Sequence, residues 1–153
     1  LCAVILTGSN ICTDKVTAEP AQTQVQTQIA ETAAKPLNVE NSPKTYLNKK
    51  IVMNAKFDKF STLGLDYKPA YRTSDNYISF LIKRDDTTYD IPLSEMKLFL
   101  KRELAEKNIN LKTNEEIKIT GTVFSDALGD AWIDVENITV TKKFEEKKDG
   151  AEK

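Results

Sequence analysis

The fold is decided by Ile117-Lys-Ile-Thr-Gly-Thr-Val-Phe124 and, after a polar turn, by Trp132-Ile-Asp-Val-Glu136. Apolar and polar residues alternate in both stretches, and this period of two predicts two strands that each turn one side towards a core. The core-facing set of the first strand includes Gly121, which predicts a bulge or a tight bend of the kind that a small barrel needs at its corners. The turn Ser125–Asp130 joins the two strands.

Strand-like patterns also occur earlier in the chain. Two runs, Ile51–Asp58 and Tyr77–Lys83, alternate in the same way. The side chains predicted to face the interior are Ile51, Met53, Ala55 and Phe57 in the first run, and Ile78, Phe80 and Ile82 in the second. Turn residues follow at Asp85-Asp86-Thr87, and a short third strand is predicted at Thr88–Pro92. The second and third strands are therefore expected to form a hairpin.

A helix is predicted after this hairpin. Ser94 is a suitable N-cap, and Glu95 suits the first turn of a helix. Apolar residues then recur at spacings of three and four, the pattern of a helix with one apolar stripe, at Met96, Phe99, Leu100 and Leu104. We expect this stripe to close one end of the β structure.

The element order between Lys44 and Lys143, three strands, one helix and two strands, resembles the OB-fold, a five-stranded Greek-key barrel with a helix between strands three and four. The resemblance rests on that order and on the neighbourhood of Gly121 and Gly129–Trp132. Within the superfamily, the chain is similar to small exported bacterial OB-fold proteins of unassigned function. The resemblance implies that a ligand binds over strands two and three. The site would be bordered by the loop between strands one and two and the loop between strands four and five, but no particular ligand is implied.

Composition narrows the possible functions. The 153 residues suit one domain, and the formal net charge of −1 gives no overall field that would attract nucleic acid or anionic lipid. Histidine is absent, and the two cysteines, Cys2 and Cys12, lie near the start of the chain. Triads with histidine, catalytic thiols and zinc clusters are thereby excluded from the predicted domain. We expect a protein that is not an enzyme and has neither a cofactor nor a metal site.

The predicted domain has polar flanks. Residues 1–18 are predicted to be a signal peptide that lacks its start, because Leu1-Cys-Ala-Val-Ile-Leu6 is apolar and too short to span a bilayer; a chance apolar stretch in a disordered terminus is the alternative. Lipid attachment at Cys12 would anchor the chain to a membrane, but Ile11 does not fit the motif. Residues 19–43 are predicted to be a disordered polar tether, and residues 144–153 a charged disordered tail. The expected location is the periplasm or cell envelope.

The loop Ser61–Asn76 is the first candidate for a ligand site, because it is much longer than a hairpin requires. It interleaves Tyr67 and Tyr71 with Lys68 and Arg72, a mixture of ring planes and positive charge found in sites for single-stranded nucleic acid or sugars. Alternatively, both tyrosines fold back on the barrel as a lid. Two further aromatic residues, Phe124 and Trp132, are predicted to point outward; they form either a cross-strand pair or a contact patch together with the tyrosines.

Three functions follow from these features. The first is an exported, non-enzymatic binding module that recognises a protein or another envelope component. The second is a single-stranded nucleic-acid-binding protein, in which the four loop residues share one groove. The third and weakest is a metal-assisted hydrolase that uses Asp126, Asp130 and Asp134, whose spacing matches no metal-binding loop. Natural ligand and oligomeric state do not follow from the sequence.

Overall fold

The computed structural model of the protein describes residues 30–146, and β-strands dominate this part of the chain. The strands are β1 (Thr32–Ala33), β2 (Lys50–Ser61), β3 (Tyr77–Ile82), β4 (Lys97–Lys101), β5 (Glu116–Ser125) and β6 (Trp132–Lys142). The helices are short: α1 (Pro36–Asn41), α2 (Pro43–Tyr46) and α3 (Arg102–Lys107), with 3-10 turns at Lys68–Ala70 and Ala127–Gly129.

Five of the strands close into a barrel. Their order is β2-β3-β4-β6-β5, and β5 pairs back on β2, which leaves no open edge between the first and last strands. Only the β4–β6 pairing in the barrel is parallel; the others are antiparallel. Helix α3 lies between the third and fourth strands of the barrel. This is the topology of an OB-type barrel, and the fold class predicted from the sequence is confirmed.

The interior is apolar because the period of two holds along the strands. The predicted inward residues of β2, β3 and β5 lie in or against one core, together with Leu98 and Leu100 of β4 and Ile133 and Val135 of β6. The pairing of β5 with β6 shifts register between Thr120 and Gly121, at the predicted bend. There a Cβ on Gly121 would lie 2.5 Å from the backbone oxygen of Asp134, so the strands approach closely because glycine has no side chain.

The third strand and the helix lie elsewhere than predicted. The predicted strand Thr88–Pro92 makes only an isolated bridge between Lys83 and Pro92. The third strand of the barrel is instead β4, at the start of the predicted helix, and α3 begins only at Arg102. Inside the barrel β4 buries Leu98 and Leu100, and outside it buries Phe99. Burial on both sides removes the alternation, and the remaining spacing of Met96, Phe99, Leu100 and Leu104 mimics a helix.

The barrel also holds the segment that precedes β2. Strand β1 adds in parallel to β2, and Ala34 donates its N–H to the carbonyl oxygen of Val52 at 2.9 Å. In α1, Val39 is fully buried in the main core, and the carboxylate of Glu40 accepts a hydrogen bond from the N–H of Ala131 at 3.3 Å. Residues 32–43 are thus ordered, in contrast to the predicted disordered tether, because their few apolar side chains pack against the barrel core.

The predicted signal peptide, Cys12, the first part of the tether and the end of the tail lie outside the described residues. Among the helices that the structure does describe, none has the length and the apolar character needed to cross a membrane.

Candidate binding face

The candidate site lies on the outer face of β3, β4 and β6, beneath the loop of residues 62–76. Directly paired residues in neighbouring strands share a face of the sheet. The pairing of Ser79 with Phe99, of Phe99 with Asp134 and of Asp134 with Thr122 therefore forms one row across the outside of the barrel. From β3 across to β5, the row carries a hydroxyl, an aromatic ring, a carboxylate and a second hydroxyl. Trp132 lies two residues before Asp134 on β6.

A second apolar cluster fills the space between this face and the loop. We call it the Trp132 cluster; it consists of Ala70, Phe99 and Trp132, against which Leu65, Tyr67, Tyr77, Phe124 and Ala127 pack. The ring of Tyr67 stacks on Trp132, with 5.2 Å between ring centroids and 15° between planes. The indole N–H of Trp132 donates to the carbonyl oxygen of Ala127 at 2.7 Å. Trp132 thus lies outside the barrel but is only 1% exposed.

Gly64 lets the loop approach the indole. Its φ of +82° is in the region that favours glycine, and a Cβ there would lie 3.1 Å from Trp132 and 3.3 Å from Lys97 and Phe99. Within the loop, the N–H of Asp66 donates to the carbonyl oxygen of Arg72 at 3.0 Å. A Cβ at Gly64 would require these neighbours to shift by a few tenths of an ångström, so the loop is fitted closely to the face that it covers.

Arg72 ties the loop to β6. Its Nε donates to Oδ1 of Asp134 at 2.9 Å, and its second terminal nitrogen bonds the other carboxylate oxygen, so the contact is bidentate. The guanidinium lies 4.0 Å from the centroid of the Phe124 ring, a cation–π contact. The hydrogen bond to Asp134 raises the pKa of Arg72 above its ordinary value. Arg72 is therefore a cation already satisfied within the molecule.

Two other polar groups of the face differ in their partners. Lys97 donates from Nζ to Oδ2 of Asp130 at 3.1 Å and lies 5.8 Å from the Trp132 ring centroid. The hydroxyl of Ser79 is buried and has no hydrogen-bond partner among the described residues. Because a buried hydroxyl is normally bonded, this one is an unused donor and acceptor at the β3 end of the row.

An open cleft of about 550 Å³ adjoins the covered face and shares Tyr77 and Asp134 with it. This volume falls in the range usual for small-ligand sites. Its charged lining groups are Lys101, Glu103, Lys107, Asp134 and Glu136; Leu104, Thr122 and Val135 complete it. Two of the three carboxylates are already paired with cations, Asp134 with Arg72 and Glu136 with Lys50 at 2.9 Å, so the cleft has no excess of negative charge.

The structure brings four of the six predicted site residues together. Tyr67, Arg72, Phe124 and Trp132 share the Trp132 cluster or contact it, whereas Lys68 and Tyr71 are exposed on the loop. Tyr67 folds back on the barrel, as the alternative of a lid predicts. Tyr71 does not, because its side chain is 55% exposed. The predicted pairing of Phe124 with Trp132 runs through Phe99, whose ring lies 6.0 and 5.8 Å from theirs.

Sequence reasoning missed Phe99, Asp134 and Ser79 as parts of this face. The sequence pattern places Phe99 in the helix stripe, and nothing in the sequence distinguishes Ser79 from the other outward residues of its strand. Asp134 belongs to the predicted outward side of its strand, so the one available signal was its place beside Trp132 on β6. Asp134 and Asp130 are each bound by a cation of the protein. In the described part of the chain, no three histidine, cysteine, aspartate or glutamate residues are grouped to hold a metal ion.

No family model matches the chain, and no curated protein matches it. It is similar in structure to a putative aspartyl-tRNA synthetase from Leishmania major Friedlin, with a TM-score of 0.48, 9% identity and coverage of 83% of this chain and 23% of that one. Asparaginyl-tRNA synthetase from Pyrococcus horikoshii is similar with a TM-score of 0.49 and 17% identity, and the match covers 72% of this chain and 23% of that one. An OBody bound to hen egg-white lysozyme is similar with a TM-score of 0.45 and 12% identity, and the match covers 65% of this chain and 85% of that one. The chain spans less than a quarter of either synthetase, and its OB-type assignment rests on its own strand order.

Proposed function

We propose that the protein is an exported, non-enzymatic binding module that recognises a protein or another component of the bacterial cell envelope. The observation that carries the proposal is a set of exposed apolar side chains around the Trp132 cluster. Leu63 precedes Gly64, Tyr71 follows Ala70 and Leu128 follows Ala127. Ala70 belongs to the cluster, and Gly64 and Ala127 lie against it. We infer from these neighbours that the three exposed side chains lie around the edge of the cluster, and an exposed apolar patch of this kind marks a partner site.

Leu128 is the most exposed of the three, at 72%, and its backbone has a φ of +62°. This conformation is rare for a bulky residue without a local reason and costs about 1–2 kcal/mol. The strain is kept although the side chain contributes nothing to the core. A residue held so at the tip of the loop between β5 and β6 is suited to contact a partner.

Single-stranded nucleic acid is the second candidate, favoured by the exposed Tyr71 and Lys68 on one loop. The two other loop residues predicted to bind such a ligand, Tyr67 and Arg72, argue against it because both already have partners within the protein. Tyr67 is stacked on Trp132, and Arg72 is bound to Asp134. A polyanion would have to displace both contacts before it could bind these side chains, and Asp134 would then face it without its cation. The envelope proposal therefore comes first.

The test is co-sedimentation of the full chain with isolated bacterial envelopes, beside fluorescence anisotropy with a labelled mixed-sequence single-stranded DNA at two salt concentrations. We expect sedimentation of the wild type and at least a fivefold loss in a Tyr71→Ala/Leu128→Ala variant. A Tyr89→Ala/Ile91→Ala variant is the matched control, because these residues are also exposed, at 75% and 45%, but belong to the loop after β3. Salt-sensitive DNA binding without envelope binding would favour the second candidate.

A further inference from the structure

The open cleft and the covered face together have the composition of one ligand site. Tyr77 and Asp134 line the cleft, and both also belong to the surroundings of the Trp132 cluster or bind its loop. A ligand held in the cleft would therefore meet the edge of the 62–76 loop. If that loop moved away, the ligand would extend along the row of Asp134, Phe99 and Ser79.

Tyr67 occupies the position that a ligand ring would take. Its ring lies parallel to the indole of Trp132 at ring-stacking distance. The same indole would be the largest flat apolar surface on the barrel wall without the loop. A six-membered ring with one apolar side would replace Tyr67 there without any change in the wall.

The polar groups in the row through Phe99 indicate what kind of ring. Ser79 has an unpartnered buried hydroxyl, and Asp134 would lose its cation when the loop leaves. Thr122 lies in the same row and donates its hydroxyl to Glu136 at 3.1 Å. Hydroxyl and carboxylate groups bind the hydroxyls of a ligand ring. Once the loop has left, the carboxylates of Asp134 and Glu103 would balance the ammonium groups of Lys101 and Lys107, because Glu136 is already paired with Lys50. Lys97 is neutralised by Asp130. The charge complement is a neutral ligand rich in hydroxyls.

We propose that this face is a closed carbohydrate site, in which Tyr67 takes the place of a sugar ring on Trp132 and the Arg72–Asp134 ion pair holds the loop shut. The proposal rests on the proposed function and names the envelope component as a neutral saccharide. A ligand must then compete with the closed loop, so its apparent affinity is lowered by the small fraction of open molecules. Variants that open the loop are expected to bind more tightly.

The protein contains a single tryptophan, so Trp132 itself reports whether the loop is closed. In the wild type, we expect blue-shifted emission and weak quenching by acrylamide, because the indole is buried. Arg72→Gln removes the bidentate contact and should raise the quenching constant severalfold with an unchanged far-UV circular dichroism spectrum. Arg84→Gln is the matched control: its guanidinium is similarly exposed and bound to Asp86, on another loop.

The binding probe is chitotetraose, a neutral sugar oligomer, titrated into the full chain by calorimetry. We expect Tyr67→Ala and Arg72→Gln to bind it about fivefold or more tightly than the wild type and Arg84→Gln. Ser79→Ala in the Arg72→Gln background should weaken binding without changing the quenching, which separates a ligand contact from an effect on the loop.

Three results would overturn the proposal. Unchanged quenching in Arg72→Gln would show that the ion pair does not hold the loop. An open loop with no chitotetraose binding in any variant would refute the carbohydrate class, while envelope sedimentation of the wild type would leave the proposed function intact. Equal affinity of the wild type and Tyr67→Ala would show that Tyr67 does not occupy the ligand's place.

Discussion

Gly121→Ala should be the most damaging single-methyl change in the barrel. The new Cβ would lie 2.5 Å from the backbone oxygen of Asp134 and 3.0 Å from the Cα of Val135, where ordinary contacts begin at 3.4 Å. Both neighbours are backbone atoms, so β6 must move by roughly 0.9 Å to relieve the clash. The same glycine pairs with Ile51 of β2 and Val135 of β6, which places it where β5 closes the barrel.

We expect Gly121→Ala to lower the free energy of unfolding by about 3 kcal/mol, the upper part of the range for overpacked sites. Urea denaturation followed by circular dichroism measures this loss, with the melting temperature expected to fall by about 10 °C. Gly129→Ala is the control: a Cβ there meets nothing within 4 Å, and the positive φ of 78° alone should cost about 1 kcal/mol. A Gly121→Ala variant within about 0.5 kcal/mol of the wild type would refute the close approach of β5 and β6.

Three further predictions concern the segment before β2 and the third strand of the barrel. Val39→Ala should cost about 2 kcal/mol in urea denaturation, because this side chain is fully buried, whereas the exposed Asn38→Ala should cost little. Burial raises the pKa of Glu40 above its ordinary value of 4.5, against the opposing hydrogen bond from Ala131, so the folded state binds the proton more tightly than the unfolded state. The wild type should therefore lose stability relative to Glu40→Gln as pH rises from about 4.5 towards neutrality, and thermal melts from pH 4.5 to 7.5 that show the opposite trend would contradict this. Leu98→Ala should cost about 3 kcal/mol and Leu104→Ala less than half of that, since Leu98 is fully buried inside the barrel and Leu104 only partly; a helix at 96–104 would reverse the order.

The sequence predicts the fold wherever one side of a strand faces water. Buried and more exposed residues alternate along β2 and β5, whereas β3 is buried on both sides from Ser79 to Ile82 but keeps a polar residue between inward ones; the inward residues of all three were identified correctly. β4 fails because consecutive large apolar residues occupy both of its sides, Leu98 and Leu100 in the core and Phe99 beneath the loop. The cover over Phe99 comes from residues more than twenty positions earlier in the chain. No local pattern contains that information, so the helix interpretation was the better match to the sequence alone.

The site was predictable in part for the same reason. The interleaved aromatic and basic residues of the long loop, with Phe124 and Trp132, pointed to the right region of the barrel. Their roles depend on pairwise contacts that span most of the domain, such as Arg72 with Asp134. From the sequence alone, an arginine in a loop is taken for a cation that is free to bind a ligand, because its partner within the protein is not known. The nucleic-acid interpretation of the loop depended on that assumption.

Stability and ligand access are in conflict on the outer face. Phe99 and Trp132 are almost fully buried by the loop, and uncovering two such side chains costs about 2 kcal/mol or more each. The cover therefore contributes to folding, and a partner must offer rings that bury the same surface. Tyr67→Ala should consequently destabilise the free protein while it strengthens binding to a ligand that stacks on Trp132. A structural core residue would lose both properties together, so measuring stability and affinity on this one variant separates a displaceable cover from a permanent part of the core.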